Sequence, residues 1–498
     1  MKKIILTMVS ALLAAGVLTA QTLDDALRYS QTFYSGTARF NSMGGAFTAL
    51  GADMSTLSQN PAGIGMYRSS EFSITPSLNF VNSTASFNGG VTEDYLNKFN
   101  IGQAGYVANV FKSQNAGKSF MFNIGYSYNM TNNFRQNVLV SGINHTSSMA
   151  DSWAINSDMI PYNELKGPAG IAFDTYVIDT VTGYQDLYGT AYANYDDPVS
   201  VYGQRMKRAA TYEGRAGEHA ISFGGNYSDK IYFGVTFGIN TLHFSSYSEH
   251  VETAETQLAS GFQNFNYVDY YENDGSGFTF KIGAIAKPVE MLRVGVAFHS
   301  PTYYNIDEYF YDNISSKFTW GEHSANNDPM RYSYAMRTPS RLLAGVAVQI
   351  QKFGVITADY EYVNYGSALF SQTGDGFDYS DKNREIRTVL RSASNFRVGG
   401  EYRYQNLYLR GGYGYYGKPF EARENPENAN LDYRTISAGI GFRAKGVSFD
   451  FGYVNYKSMQ YNYLYYLPTF GGPASPGYDL TTSKNTFTFT IGFRFGVL

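Results

Sequence analysis

Residues 486–498 at the end of the chain alternate with a period of two. The apolar residues share one parity and are Phe487, Phe489, Ile491, Phe493, Phe495 and Val497. The other parity carries Thr486, Thr488, Thr490, Gly492, Arg494 and Gly496. Successive side chains of a β-strand point to opposite faces, so the segment predicts a strand with one aromatic face and one polar face that carries a cation. Such a strand packs either on a second sheet or against lipid.

The beginning of the chain has the layout of a cleavable export signal. Lys2 and Lys3 precede the apolar run 4–18, and the polar Gln21 follows shortly after it. We therefore assign residues 1–20 to a signal peptide rather than to a retained membrane anchor. Beyond it, no apolar stretch approaches the roughly 20 residues that a transmembrane helix needs. The mature chain is then either an exported soluble protein or a membrane β-barrel.

The amino-acid composition favours the barrel. The chain has 45 Tyr, 36 Phe and 51 Gly among its 498 residues, and it has no Cys. Tyrosine is typical of the interfacial girdles of membrane barrels, and glycine permits close approach between strands. Without disulfides, closure of the sheet has to hold an exported protein of this size together. The net charge is −4 and there is no basic tract, so we expect no nucleic-acid partner.

Fourteen segments of the chain carry the two-residue period. They are predicted at 72–82, 103–112, 119–130, 219–228, 231–246, 277–287, 291–300, 338–350, 354–365, 394–404, 407–416, 433–444, 446–456 and 485–497. Short turns alternate strictly with long connections, which are predicted at 83–102, 131–218, 247–276, 301–337, 366–393, 417–432 and 457–484. Membrane barrels have an even number of strands, with short turns on one side and long loops on the other. We therefore predict an all-β fold, in which residues 71–498 form a 14-stranded antiparallel transmembrane β-barrel with long extracellular loops.

The polar parity of these strands carries charges of both signs. An arginine that faces lipid at mid-depth costs about 2–4 kcal/mol, so these side chains are expected to face the lumen. The lumen-lining candidates are Arg293, Asp359, Glu361, Arg397, Glu401, Arg403, Arg443 and Arg494, and Lys281, His299, Arg410 and Asp450 share their parity. Two interpretations stay open: a polar conduit or ligand relay, and a structural network that fills the lumen and neutralises its own charges.

Residues 21–70, ahead of the barrel, do not alternate. The stretch 23–29 fits a short helical turn, and Asp53 is a candidate N-cap for a second brief helix. That helix has to end near Asn60, because a residue that precedes proline is disfavoured in the α region. Fourteen strands enclose more space than their own side chains fill. We therefore predict that residues 21–70 are a hatch, or plug, inside the lumen.

The hatch contains the motif Asn60, Pro61, Ala62 and Gly63. With Gly-Gly-Ala at 44–46 and Ala-Asp-Met-Ser-Thr-Leu at 52–57, this segment resembles the N-terminal hatch of the FadL-like outer-membrane transport proteins, which carry long-chain fatty acids or aromatic hydrocarbons. The resemblance covers nearly the whole mature chain as architecture. The chain departs from the family at Leu498, where barrel assembly signals typically have phenylalanine.

The resemblance implies a multi-pass barrel in the outer membrane of a Gram-negative type of cell, passive uptake of hydrophobic small molecules, and the absence of enzyme activity. It implies that loops capture the substrate and that hatch movement releases it sideways at a kinked third strand, where the inward-facing Asn123, Gly125 and Ser127 permit a kink. The expected partners are outer-membrane lipid, a hydrophobic small molecule and the barrel assembly machinery. Loop 131–218 is rich in apolar side chains, which suits capture: Ile160, Leu165, Ile171, Phe173, Tyr176, Val177, Ile178, Val181 and Leu187.

The sequence shows no catalytic or metal-binding pattern. Its six histidines, His145, His219, His243, His250, His299 and His323, have no metal-ligand spacing. The glycine-rich run 411–417 lies on a predicted strand with no following helix, which does not fit a phosphate loop. We therefore expect no catalytic residue, no metal and no cofactor. Two other functions stay open: a haem-binding outer-membrane receptor, and a barrel that anchors adhesive surface loops.

Overall fold

The computed structural model describes residues 22–115, 118–192, 201–373, 377–428, 430–467 and 474–496. The predicted signal peptide, residues 1–20, lies outside the described residues. None of the described helices combines the length and the apolar character that crossing a membrane requires.

The strands form one antiparallel sheet that closes on itself, because the last strand pairs with the first. Several strands are interrupted, and their segments are grouped here into fourteen barrel strands. The bounds are β1 Ser70–Phe87, β2 Gly90–Asn115, β3 Lys118–Asn133 with Gln136–Asn144, β4 Gln204–Tyr227, β5 Ile231–Thr253, β6 Phe262–Val289, β7 Leu292–His299 with Tyr303–Phe318, β8 Gly321–Asn326 with Met330–Arg337 and Arg341–Ile350, β9 Gly354–Asn364 with Leu369–Gln372, β10 Ser392–Tyr404, β11 Leu407–Tyr416, β12 Tyr433–Ala444, β13 Val447–Tyr463 and β14 Gly477–Phe495. The predicted 14-stranded antiparallel barrel is confirmed.

The last strand has the two faces that its sequence predicts. Phe489 and Phe493 are about two-fifths exposed on the outer wall, at 40% and 38%. Thr488 and Thr490 on the other parity are buried in the lumen, at 1% and 3% exposure. The register pairs Phe72 of β1 with Phe493 of β14, so the seam of the barrel continues the same apolar band.

Most strands are longer than predicted, and the loops are correspondingly shorter. The connection predicted at 83–102 is a hairpin, because β1 continues to Phe87 and β2 begins at Gly90. The predicted connection 301–337 is likewise largely strand, in β7 and β8. These extensions carry polar as well as apolar residues on their outer face, as at Asn97 and Glu93. The apolar parity that marks a lipid-facing strand therefore ends before the strand itself does.

The hatch consists of three short α-helices and a 3-10 helix: α1 Leu23–Ser30, α2 Ala38–Ser42, α3 Thr56–Gln59 and Pro61–Met66. The helix α1, predicted at 23–29, begins with a capping box, in which Asp25 N donates to Thr22 Oγ1 and Thr22 N donates to Asp25 Oδ2. Asp53 does not cap α3 as predicted, since the N-cap is Ser55. The Asp53 carboxylate instead accepts hydrogen bonds from Ser55 N and from the Thr37 hydroxyl.

The loop between β3 and β4 folds over the barrel mouth. It contains the helices α4 Met149–Ser157 and α5 Gly167–Asp174, a 3-10 turn at Tyr162–Glu164, and two short paired strands, Ile178–Thr180 and Tyr188–Thr190. Its apolar residues Val177 and Ile178 are fully buried, which explains the apolar composition of this loop. The connection between β9 and β10 holds a 3-10 turn, Tyr365–Ser367, and the helix α6 Ser380–Val389.

Candidate functional site: the hatch, the cavity and the break in strand three

The hatch motif lies against the inner wall at β4, β5 and β6. Asn60 caps the 3-10 helix by accepting from Ala62 N at 3.1 Å, and its Nδ2 donates to Thr48 O at 2.5 Å. The wall residue at this contact is Gly283. There is no room for a larger residue, because a Cβ built on Gly283 would lie 1.8 Å from Asn60 Oδ1. A Cβ on Gly234 would likewise lie 2.3 Å from Pro61 O. The motif is therefore a docking element whose backbone approaches the wall closely.

Two of the predicted lumen carboxylates bind the hatch directly. Asp359 on β9 accepts from Thr48 N at 2.9 Å and from Thr48 Oγ1 at 2.7 Å. Glu401 on β10 accepts from the Arg39 guanidinium at 3.0 Å and from Arg410 at 2.7 Å. Charge-assisted hydrogen bonds of this kind are short and directional. They fix the position of the hatch against β9 and β10.

Glu361 on β9 lies between two buried arginines. It accepts from Arg397 Nη2 at 2.8 Å and pairs with Arg341 on its other side. Arg341 also donates to the carbonyl of Ser30 at the end of α1. The three side chains are 1% to 7% exposed, so the network is almost fully removed from water. It links the wall of the barrel to the hatch through Ser30.

The remaining four predicted lumen residues lie nearer the short-turn end of the barrel. Arg293 donates to Leu50 O of the hatch at 3.0 Å. Arg494 pairs with Glu71 at 2.7 Å and is 38% exposed. Arg443 stacks on Tyr408 at 4.6 Å, while Arg403 is exposed and donates to a carbonyl in the adjoining turn. Of these four, only Arg293 donates to the hatch through a described hydrogen bond.

Three further wall residues contribute to the hatch interface: Lys281 and His299, which were predicted to share the inward parity, and Glu218, which was not predicted. Lys281 donates to Glu218 at 2.7 Å and to Ser58 O of the hatch at 2.7 Å, and His299 contacts Gln59 O at 2.7 Å. Glu218 falls one residue before the predicted start of its strand, which in the structure begins at Gln204, so the predicted alternation does not include it. Hatch residues such as Ser58 lie in a segment without periodicity, so the sequence carries no signal for their orientation.

The third strand separates from β2 part-way along the apolar outer wall. The ladder between β2 and β3 ends, among the described residues, at the pair Gln103 and Asn129. The strand shifts register between Met130 and Asn132 and is interrupted at 134–135. The break therefore lies just above the positions where the sequence permits a kink. Two of those positions, Asn123 and Gly125, instead contact the hatch.

At the seat below the break, Asn123 Nδ2 donates to the carbonyl of Ile64 at 2.7 Å. A Cβ on Gly125 would meet the Leu57 side chain at 2.7 Å, and Ser127 is fully buried. Asn123 and Gly125 therefore receive the hatch, while Ser127 accepts a hydrogen bond from Asn129 within the same strand.

A short extended piece of the hatch covers the free edge of β3 at this break. Ser35 N donates to Met130 O at 2.9 Å, and Phe33 N donates to Thr131 O at 2.7 Å. Ser35 also approaches β2, because a Cβ on Gly102 would lie 3.7 Å from Ser35 Cβ. Residues 33–35 thus occupy the place in the wall that β2 vacates.

A cavity of about 2760 Å³ lies between the hatch and the outer loops. Its wall is rich in aromatic rings, and Phe33 packs edge-on against Tyr416, Tyr433 and Tyr456 at centroid distances of 5.0, 5.3 and 5.3 Å. The loop side contributes Ile155, Ile160, Leu165, Trp153 and Pro161. The cavity also reaches Met130 and residues 132–136, so it extends from the loops to the break in β3. Aromatic and aliphatic lining of this kind is typical of a site for apolar ligands.

The loop that roofs the cavity is fixed by buried polar contacts. Glu252 on β5 accepts from Ser148 Oγ at 2.6 Å and from Met149 N at 2.8 Å, which anchors the start of α4. Asp151 in the first turn of α4 accepts from the Tyr202 hydroxyl at 2.8 Å. Burial raises the pKa of Asp151 to about 6.

One set of potential metal ligands lies on the outer face of the barrel. His243 Nδ1 lies 2.8 Å from Asp274 Oδ1 and 4.0 Å from Glu272 Oε1. The sequence carries no signal for this set, because His243 is separated by 31 positions from Asp274 and the pairing of adjacent strands brings them together. The side chains of His243 and Asp274 are exposed, and a hydrogen bond between them accounts for their arrangement.

A closed antiparallel barrel filled by its own N-terminal segment, with an apolar cavity above it, defines the class of plugged channels. The family model described as "Outer membrane protein transport protein (OMPP1/FadL/TodX)" matches residues 218–495, and the chain belongs to this family. The predicted family is therefore confirmed by a match within the barrel, and the family is one of transport proteins.

Solved structures agree with this assignment at the level of the fold. The structure is similar to that of a Pseudomonas aeruginosa FadL homologue, with a TM-score of 0.57 and 12% identity over 94% of this chain and 99% of that one. It is also similar to the P. putida toluene transporter TodX, with a TM-score of 0.53 and 12% identity over 94% of this chain and 100% of that one. No curated protein matches the chain.

Proposed function

We propose that this protein is an outer-membrane channel for the passive uptake of hydrophobic small molecules, of the long-chain fatty acid or aromatic hydrocarbon type. The observation that carries the proposal is a single cavity that extends from the outer loops to the break between β2 and β3. The family to which the chain belongs, described as outer membrane transport proteins, supports both the location and the activity.

In this proposal the loop between β3 and β4 captures the substrate. Ile160 and Leu165 of that loop line the cavity, whereas Val177 and Ile178 are buried in the apolar core beneath it. Transfer of apolar surface from water into such a space is favourable by about 25 cal/mol per Å². Capture therefore needs no energy source.

Release follows when residues 33–35 of the hatch leave the edge of β3. Only two backbone hydrogen bonds, from Phe33 and Ser35, join this piece to β3 among the described residues. Their departure opens the wall toward the bilayer at a point where β2 and β3 are not paired. An apolar solute then leaves sideways into lipid and avoids the polar, ion-paired zone beneath the cavity.

The cavity wall also bears on the haem-receptor alternative. None of the described residues that line it is a histidine, although tyrosine and methionine side chains are present. Aromatic lining without histidine favours an apolar organic ligand over an iron porphyrin held by an imidazole.

A disulfide across the break tests the gating step. Cysteines at Ser35 and Gly102 would have Cβ atoms about 3.7 Å apart, which suits a disulfide, and the chain has no other Cys. We expect the oxidised S35C/G102C protein to bind an apolar solute normally but to fail to transport it into liposomes. Reduction should restore transport, and each single cysteine variant serves as the control. Equal transport by the oxidised and reduced forms would mean that the hatch is a passive filler.

A further inference from the structure

An outward-facing row of tyrosines crosses β5, β6 and β7 high on the outer wall. Tyr247, Tyr270 and Tyr311 are direct cross-strand partners in this row. The rings of Tyr270 and Tyr311 are stacked at a centroid distance of 5.3 Å, and Tyr247 is 44% exposed. Tyr309 lies beside them, with its ring centroid 6.1 Å from those of Tyr270 and Tyr311. We call these four side chains the tyrosine surface.

The tyrosine surface lies too high to belong to the aromatic girdle at the edge of the lipid. The last apolar row on the outer face of the same three strands consists of Ile239, Phe278 and Tyr303. The tyrosine row lies eight residues further along each strand, as Tyr247 does from Ile239 on β5. At about 3.4 Å per residue and a tilt of 35–45°, this is a height of about 20 Å. The headgroup region of a bilayer extends only roughly 5–8 Å beyond the hydrocarbon.

Polar and charged side chains occupy the outer face beside and below the tyrosine surface. Asp274 and Asp307 are cross-strand partners, and Glu272 is the partner of Tyr309 one row higher. The side chain of Asp274 is 62% exposed. The Arg331 guanidinium lies over the Tyr309 ring, 5.0 Å from its centroid. The surface thus combines flat aromatic rings with carboxylates and a guanidinium.

This combination of side chains matches the chemistry of a saccharide. A sugar ring carries C–H groups on its flat faces, and these pack against the electron-rich face of an aromatic ring. Its hydroxyls donate hydrogen bonds to carboxylates and accept them from a guanidinium. A hydrocarbon chain would use the rings and leave the carboxylates without a partner. A phospholipid headgroup ends well below Tyr247.

We propose that the tyrosine surface binds the oligosaccharide head of a glycolipid whose acyl chains lie against the apolar band of the same strands. The rings stack on the sugars, and Glu272 and Asp274 accept hydrogen bonds from the sugar hydroxyls. The surface continues directly from the lipid-facing wall, which favours a ligand anchored in the membrane over a free polysaccharide. Only the outer-membrane location is taken from the function proposed above, since neither the cavity nor the hatch takes part.

The test compares two glycolipids that differ in their sugars. One is lipopolysaccharide that carries its core oligosaccharide, and the other is lipid A, which has the same acyl chains and lacks the core sugars. Binding to the full-length protein in a non-ionic detergent is titrated by native mass spectrometry. We expect the wild-type protein to bind lipopolysaccharide about fivefold or more tightly than lipid A, which corresponds to one or two aromatic contacts with the sugars.

Two pairs of tyrosines provide matched variants. Y270A/Y311A should lower the affinity for lipopolysaccharide to that for lipid A and leave the affinity for lipid A unchanged. Tyr402 and Tyr404 on β10 are also outward-facing and exposed, but they lie beside a short turn at the other end of the wall. Y402A/Y404A should therefore keep the preference for lipopolysaccharide.

The mode of recognition is tested at Glu272. E272Q keeps an acceptor for sugar hydroxyls and should keep the preference, whereas E272A should weaken the binding of lipopolysaccharide. Loss of the preference in E272Q, together with its loss in the wild-type protein after removal of divalent cations by EDTA, would overturn saccharide recognition. The carboxylates would then bind phosphates of the glycolipid through a bridging cation.

Two further outcomes would also overturn the proposal. Equal affinity of the wild-type protein for the two glycolipids removes the sugar specificity and leaves the transport function standing. An equal loss of preference in Y402A/Y404A and Y270A/Y311A would show that general contact between tyrosine and lipid produces it. The wild-type comparison involves no variant, so a folding defect in Y270A/Y311A does not prevent the test. Failure of the wild-type protein to transport an apolar solute contradicts the proposed function alone.

Discussion

The hatch interface and the cavity above it share one lumen but are built from different interactions. The interface depends on directional polar contacts, such as Thr48 with Asp359 and Arg39 with Glu401. The cavity is walled largely by rings, such as those that surround Phe33. Directional contacts specify one position of the plug, whereas aromatic surface accepts ligands of varied shape. The comparison shows that one barrel combines a plug held by directional contacts with a cavity walled by less directional aromatic surface.

The largest effect is expected where the polar interface loses its shared carboxylate. Glu361→Gln removes the only charge that pairs with both Arg341 and Arg397 among the described residues, and breaking such a buried pair costs about 3–5 kcal/mol. We expect the folded protein to unfold at a lower temperature. This is measured as the temperature of preincubation at which its mobility on a denaturing gel changes to that of the unfolded chain. Glu322→Gln is the control, because Glu322 pairs with Lys317 in an exposed hairpin, and it should leave that temperature unchanged. An equal decrease of the unfolding temperature in both variants would contradict the conclusion that buried ion pairs stabilise the interface.

A smaller effect is expected where the hatch motif approaches the wall. Gly283→Ala places a Cβ where Asn60 Oδ1 now lies, and overpacking of this kind costs about 1–3 kcal/mol. The hatch should become more susceptible to proteolysis from the periplasmic side. Gly400→Ala is the matched change, because a Cβ there meets no atom closer than 3.9 Å. Similar cleavage rates in the two variants would show that the motif does not dock at Gly283.

Removal of one ring tests the aromatic region. Phe33→Ala deletes three edge-to-face contacts with tyrosines. The attachment of residues 33–35 to the edge of β3 should therefore weaken by about 1 kcal/mol. A cysteine at Ser35 should then react faster with a water-soluble thiol reagent, while cysteine at the polar-zone residue Ser58 keeps its rate. Acceleration at both positions would mean that the two zones are not independent.

The smallest effect is a pH dependence of the loop that roofs the cavity. The pKa of Asp151 is raised to about 6 in the folded loop, so the folded form binds this proton more tightly than the unfolded form. The stabilisation is complete below the ordinary carboxyl pKa and is lost as the pH rises through about 6. The loop should therefore unfold at a higher temperature at pH 5 than at pH 8.

Trp153 on the same helix reports this transition by fluorescence once Trp320 is replaced by Phe. The Asp151→Asn variant cannot ionise at this position, so its unfolding temperature should be independent of pH over the same range. A pH dependence that persists in the variant would assign the effect to another group.

The sequence predicts the wall of the barrel well because each wall residue meets one of two environments. The alternation of Phe489 and Thr490 follows directly from lipid on one side and the lumen on the other. Asn60 and Pro61 also specify a local stop and turn that the structure contains. These features depend only on near neighbours in the chain.

The contacts between hatch and wall could not be predicted in the same way. Arg39 and Glu401 are separated by 362 positions, and the hatch has no period that would orient Arg39. The upper parts of β1 and β2 were predicted as a loop for a related reason. Above the lipid the outer face meets water, so polar residues such as Glu93 remove the pattern although the hydrogen-bonded ladder continues.

The hatch also contacts the seam at which the barrel closes. Ala38 N of the hatch donates to Thr490 Oγ1 on the last strand at 2.7 Å, and Thr490 in turn contacts Thr75 on the first strand at 2.7 Å. The segment that leaves the ribosome first among these three is thus joined to the one that leaves last. Pairing of the last strand with the first therefore does more than close the sheet. It also completes a binding site for the hatch, because Thr490 at this seam contacts both Ala38 and Thr75.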